Sequence, residues 1–210
     1  MAAVSITVNI GDGASARLWT DSWASVGPLC HYAPNLAFFA RSASLLGAKE
    51  LWKTKAPARV KFFFWLALHH RLWTAERRKR HGLQDDDACV LCGQESETAD
   101  HLFIGCVLTR EVWFALLAPL GLTVLAPGHT EDATSWWLRQ RLRIDAAGRP
   151  AFDSMILLIS WVIWKERNSR TFSRDAAGIQ ELRLKVQDAD DWVKAGFKML
   201  SVFTPYWSQN

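Results

Sequence analysis

Hydrophobic and polar positions alternate at the start of the chain, where Val4, Ile6, Val8 and Ile10 interleave with Ser5, Thr7 and Asn9. This is the period-two pattern of a half-buried strand. Gly11-Asp12-Gly13 follows at once, and Asp-Gly accepts the positive φ angles of a tight turn, so residues 16–23 are expected to return as the partner strand of a β-hairpin. The period then changes. Residues 60–68 are apolar apart from Lys61 and follow Pro57, which predicts a helix opened by proline and buried on most sides. It continues or restarts through 72–80, with Gly82 as its C-cap. Val107, Arg110, Trp113, Phe114 and Leu117 recur at three and four, predicting a short helix that ends near Pro119. Residues 118–134, with two prolines and two glycines, read as a linker. Helices are expected over 136–144, 152–172 and 176–200. The last carries an apolar stripe of Ile179, Leu182, Val186, Ala189, Val193, Phe197 and Leu200, whose natural partner is the helix before it in an antiparallel pair.

Composition supports a folded chain. Of 210 residues, 50% are hydrophobic and 22% charged, which excludes disorder and low complexity. Twelve tryptophans imply several small aromatic clusters holding short elements together, each indole N–H needing an acceptor. The first seven residues show neither a basic n-region nor an apolar h-region, so the chain is expected to stay inside the cell, nuclear or cytoplasmic, and not to be secreted. The longest apolar run, 155–164, is interrupted by Ser160 and falls far short of the ~20 residues of a membrane span. It reads as a buried helix, and no membrane partner is expected.

Four cysteines in a reducing compartment are poor disulfide candidates. Three of them fall within eighteen residues beside a histidine: Cys89-Val90-Leu91-Cys92, then eight residues beginning with Gly93, then His101, four residues and Cys106. Two residues between cysteines let both thiolates face one ion from a tight turn, and Gly93 lets the chain curl back so that backbone N–H groups point at sulfur. Gly105 eases the bend beside Cys106. Three thiolates and one imidazole suit one Zn2+, whereas a [2Fe–2S] cluster usually takes four cysteines. Four protein ligands leave no open position for water, so the site is expected to be structural, and the chain is expected not to be an enzyme. A zinc deaminase needs His-x-Glu ahead of its cysteines, but His129-Thr130-Glu131 follows them here. Cys30 and His31 have no further ligand at metal spacing and read as a buried thiol and a surface imidazole.

Charge is divided sharply along this part of the chain. Between Lys53 and Arg80 there are nine basic residues against Glu76 alone, while between Asp85 and Asp100 there are six acidic residues and no basic ones. Phosphate would avoid the acidic metal loop, so RNA or DNA, if bound, is expected on the basic helix through Arg71, Arg77, Arg78, Lys79 and Arg80. The competing reading of these cations is a solvated helix end that favours positive charge at its C-terminal dipole.

These motifs together resemble the zinc-binding region found downstream of the reverse transcriptase in plant LINE-type (non-LTR) retrotransposon polyproteins. The resemblance is carried by Ile10-Gly11-Asp12-Gly13 with Trp19, Asp21 and Trp23. It continues through Leu51-Trp52, Pro57, Val60-Lys61-Phe62, Trp65, Arg71-Leu72, Thr74, Cys89 to Gly93, Glu97-Thr98, His101-Leu102-Phe103, Cys106 and Trp113. Trp161, Ile163-Trp164, Arg167-Asn168 and Phe172 are similar to a motif that often closes such proteins. No Tyr-x-Asp-Asp-like loop of a polymerase occurs in these residues. The resemblance therefore implies a C-terminal part of a retroelement protein.

The expected architecture is mostly α, with an N-terminal hairpin segment (1–36), a zinc-binding domain (37–120) and a helical C-terminal region (121–210). Three functions fit it: a nucleic-acid-binding zinc module, a protein-interaction scaffold, or a retroelement relic without a selected activity. The C-terminal helices are also expected to self-associate, with Trp161 and Trp164 at the contact.

Overall fold

The computed structural model describes residues 47–129 and 131–187. The expected hairpin and Cys30-His31 lie outside the described residues, as does the predicted last helix beyond Gln187. Within them the chain is mostly helical and holds no strand, only an isolated antiparallel bridge between Ala88 and Ser96. The helices are α1 (Ala48–Lys53), α2 (Ala58–Leu68), α3 (Ala75–Arg80), α4 (Val107–Leu117), α5 (Ala133–Leu142), α6 (Arg149–Asn168) and α7 (Ile179–Gln187). Single π-helical turns occupy His101–Gly105 and Ser169–Ser173.

The central element is α6. Every residue from 151 to 160 is buried, as a helix apolar on all sides requires, and α1, α2, α5 and α7 all pack against it. Its polar residues are satisfied inside: Ser154 Oγ donates to the Pro150 carbonyl, 2.9 Å, and Asp153 accepts from Trp137 Nε1, 2.9 Å, and Arg141 Nε, 2.9 Å. Burial raises the Asp153 carboxyl above its ordinary range, and these two donors act against that rise. Leu182 and Val186 of the α7 stripe are fully buried, and α7 packs on α4 as well as α6. Trp161 and Trp164 are half-buried and both rings meet Phe63 of α2, at 5.1 and 5.9 Å between centroids. The apolar run thus has an intramolecular partner. No described helix is long and apolar enough to cross a membrane.

The tryptophans act as the composition implied. Trp113, Trp136 and Trp137 are almost completely buried, and each indole donates its N–H, respectively to the carbonyls of Phe103 and Leu125 and to Asp153. Trp113 meets Trp136 edge to face at 5.1 Å, and Phe64 meets Trp137 at 5.5 Å. These rings fasten α4 and α5 to the core at no polar penalty.

One expectation changes. The described residues of the stretch 118–134 are anchored to the core at several points, with Leu125 buried, Asp132 capping α5 through the Ser135 N–H, and the Ala133 N–H bonded to Asp100 Oδ1, 2.9 Å. Pro119 and Gly121 shape a 3-10 turn at Ala118–Leu120, and a second follows at Thr123–Leu125. The buried face of α4 is Thr109, Val112, Trp113, Leu116 and Leu117, while Val107 and Phe114 are exposed. Cys106, turned toward the ligand cluster at the N-cap, sets the rotation of α4, and Thr109 bonds back to the Leu102 carbonyl, 2.7 Å.

The helix over 58–80 breaks once. After α2, His70 adopts a left-handed φ of 52°, with its N–H bonded to the Ala67 carbonyl and the Arg71 N–H to Leu66, the paired bonds of a Schellman motif. The chain restarts at Thr74, whose hydroxyl accepts from the Arg77 N–H. Gly82 ends α3 with the same paired bonds and φ 68°.

A buried ion pair joins the metal loop to α6. Glu97 is fully buried and Arg167 is 2% exposed. Glu97 Oε1 accepts from Arg167 Nε at 2.9 Å, Arg167 Nη2 at 2.7 Å and the Ala75 N–H at 2.7 Å. Beside it, Glu166 Oε1 accepts from Arg170 Nε and the Ala177 N–H, both 2.8 Å, while Arg170 reaches the Leu91 carbonyl, 3.4 Å. Removing one partner of such a pair strands a charge in low dielectric. We predict that Arg167→Ala lowers unfolding free energy by about 3–5 kcal/mol, and that Arg167→Met with Glu97→Leu recovers much of the loss. Equilibrium denaturation checks both. A cost below about 1 kcal/mol for the single variant would mean that the pair is not sealed from water.

Candidate metal centre

The metal loop is built by backbone turns. Ala88 and Ser96 face each other across its neck, where the Cys89 N–H bonds to the Glu95 carbonyl, 2.8 Å, and the Glu97 N–H to the Asp87 carbonyl, 2.8 Å. At its tip the Gly93 N–H returns to the Cys89 carbonyl, 2.7 Å, with Gly93 at φ 69°, a conformation that L side chains resist. The Leu91 and Cys92 N–H groups face the Cys89 sulfur. The second half rests on the π-helical turn: the Cys106 N–H bonds to the His101 carbonyl, 2.6 Å, so His101 and Cys106 face the loop together. The Thr109 N–H, in the first turn of α4, faces the Cys106 sulfur, placing that thiolate at the positive end of a helix.

The structure brings all four expected ligands together. One donor atom from each of Cys89, Cys92, His101 and Cys106 lies within 4.8 Å of every other. Cys89 Sγ is 4.0 Å from Cys106 Sγ, and Cys92 Sγ is 3.3 Å from His101 Nε2. Tetrahedral zinc, with bonds of about 2.3 Å to sulfur and about 2.0 Å to nitrogen, separates such ligands by about 3.5–3.8 Å. Cys89 and Cys106 are completely buried, His101 nearly so, and Cys92 half-buried. The cluster has the donor set, number and spacing of one structural Zn2+.

Proton positions within the cluster follow from the same proximity. The Cys89 thiol donates to Cys106, drawing the Cys106 thiol down to about 3, assisted by His101, while Cys89 is pushed up. His101 is raised to about 9, chiefly by its hydrogen bond to the Cys106 thiolate. A metal must displace these protons.

The expectation from sequence omitted what orients the histidine. Glu95 Oε2 lies 3.3 Å from His101 Nδ1, too poorly aligned for a full hydrogen bond, and Glu95 Oε1 is 2.9 Å from His129 Nε2. A carboxylate beside the far ring nitrogen favours the tautomer that presents Nε2 to metal. Gly105 leaves room beside it, since a Cβ there would sit 3.2 Å from the His129 carbonyl and 3.4 Å from His101 Nδ1, a tight approach.

The expected phosphate contacts lie on and just before α3. Arg71, Lys79 and Arg80 are exposed, and Arg77 and Arg78 are half-buried. Lys79 pairs with Asp87 at 2.8 Å and Arg80 with Glu76 at 3.2 Å. The Asp87 carboxylate raises the Lys79 ammonium and is itself lowered by it. Arg77 donates to the His70 carbonyl, 2.9 Å. The charge division seen in the sequence is therefore partly neutralised where the acidic loop meets α3.

We predict that Cys92→Ser abolishes stoichiometric zinc and unfolds the region from Lys53 to Leu117, since structural zinc supplies about 10–16 kcal/mol of binding free energy in small peptides. Protein carrying under about half an equivalent of zinc, with a circular dichroism spectrum unmoved by chelator, would falsify the site. Glu95→Gln should keep the fold yet weaken zinc about 10- to 100-fold in competition with a chromophoric chelator.

Comparison with known proteins agrees with this geometry. The chain is 25% identical over 144 residues to a protein of Arabidopsis thaliana described as "Putative ribonuclease H protein". The match takes in 68% of this chain but 22% of that protein, so the chain spans about a fifth of its relative's length. No solved structure matches. Residues 32–113, the stretch that holds all four ligands, match the family described as zinc-binding in reverse transcriptase.

Proposed function

We propose that the chain is a non-catalytic zinc module that binds nucleic acid through α3 and the turn before it. The observation that carries this reading is the attachment of the basic helix to the metal loop. Glu97, inside that loop, accepts from the Ala75 N–H at the start of α3, and Asp87, at its neck, holds Lys79 near the end. Metal order is thereby transmitted to the cations. The non-catalytic half of the proposal rests on the coordination number: four protein ligands fill a tetrahedral ion and leave no position for water or substrate. The similarity to a family of zinc-binding in reverse transcriptase supports a nucleic-acid context. The Arabidopsis relative's ribonuclease H designation belongs to that protein and is not carried to this chain.

Changing Arg77, Arg78, Lys79 and Arg80 together to Gln should flatten log affinity against log salt by roughly two to four units with zinc still bound. Sequence preference should hardly move, because phosphate contacts carry no base information. Chelation should weaken the wild type to the same level. The measurement is fluorescence anisotropy with labelled RNA and DNA across a salt series, and an unchanged slope in the quadruple variant would remove α3 from the binding surface.

A further inference from the structure

Two large aromatic rings remain exposed beside α3, and each is met by one of its arginines. Trp73 is 48% exposed, with the Arg77 guanidinium 5.0 Å above its ring and His81 edge-on at 5.3 Å. Phe172, in the π-helical turn after α6, is 66% exposed, with the Arg78 guanidinium at 5.6 Å. Arg77 and Arg78 are successive residues, so on a helix they point about 100° apart. The two rings therefore flank α3 on different sides, with its arginines between them. Isolated exposed apolar side chains need no explanation. Here the rings are paired with cations on one short helix, and both kinds of group recognise the same polymer.

Building on the proposed nucleic-acid reading, we infer that this surface takes single-stranded nucleic acid, with an unpaired base stacked on Trp73, a second on Phe172, and phosphates on Arg71, Arg77, Arg78 and Arg80. A protruding indole is covered most cheaply by an unpaired base, because a duplex must first be unstacked to offer one. Length disfavours a groove reader: α3 has six residues, about 9 Å of helix. The acidic run Asp85-Asp86-Asp87 begins after four intervening residues beyond its C-terminal end and opposes a second phosphate backbone. Lys79 is held by Asp87 and contributes least. Arg77 is pre-oriented, since its bond to the His70 carbonyl fixes the guanidinium over Trp73, as cation–π stacking with bases also requires.

The test uses the full chain with zinc bound and three labelled probes: a ten-nucleotide oligo-uridine, a ten-nucleotide oligo-thymidine and a ten-base-pair DNA duplex. Wild type should prefer both single strands to the duplex. Trp73→Ala should weaken single-strand binding about 5- to 100-fold with the salt slope unchanged, and Trp73→Phe should restore most of it. Arg78→Gln should reduce the slope by about one. Zinc content and thermal midpoint should match wild type in each variant, because both side chains are solvent-exposed or half-exposed. Salt-dependent binding that is equal for duplex and single strand, or untouched by Trp73→Ala and Phe172→Ala, overturns this inference alone. Wild-type protein that binds none of the probes overturns the nucleic-acid reading beneath it.

Discussion

Glu97 carries a carboxylate into a place where no water reaches it, and the rest of the arrangement answers that constraint. A buried anion persists only with donors aimed at it. Arg167, seventy residues on in the chain, supplies two, and the Ala75 N–H supplies a third. The pair thus ties together the metal loop, the start of α3 and the end of α6. Arg167 is in turn stacked 5.1 Å from the Trp164 ring, which limits its alternatives. Arg170 repeats the device one turn later, linking Glu166 to the Leu91 carbonyl at the metal loop. The closing motif Trp164, Arg167 and Asn168 thereby acquires a physical role: it is the half of a clamp whose other half is the zinc-binding stretch.

This clamp explains why so acidic a loop coexists with a basic helix. Some of the loop's carboxylates are already engaged within the chain, Glu97 in the core on Arg167 and Glu95 at the surface beside His101 and His129. Asp87 neutralises Lys79 at the surface, an exposed pair of little energetic weight that nevertheless sets how many cations stay open. The outward charge of α3 is then smaller than its sequence implies and more localised. Under the proposed reading, arginines over exposed rings suit that surface to flat, negatively linked groups rather than to a general polyanion.

Much of this was legible in the sequence because it depends on local chemistry. Cys89, Cys92, His101 and Cys106 could be named from spacing alone, since two intervening residues and a following glycine dictate a turn with both sulfurs on one side. Helices α2, α5 and α6 followed from apolar periodicity, and Gly82 from its lack of a Cβ. The segment 118–134 misled, because prolines and glycines report turns but not whether the turns are packed. Helix α4 was also legible from its three-four spacing, although Val107 and Phe114, which fit that spacing, lie outside the buried face.

What the sequence determined by itself was therefore the ligand set, the helical character and the separation of charge, each encoded within a few tens of residues. Only the tertiary structure decided which charges meet. Glu97 and Arg167, Glu95 and His129, Arg78 and Phe172 are distant along the chain, and nothing in their own neighbourhoods specifies the partner. Pairing at such distances is set by how α6 lies against the metal loop. That packing comes from shape and burial summed over the whole core, a quantity that no local pattern of residues contains.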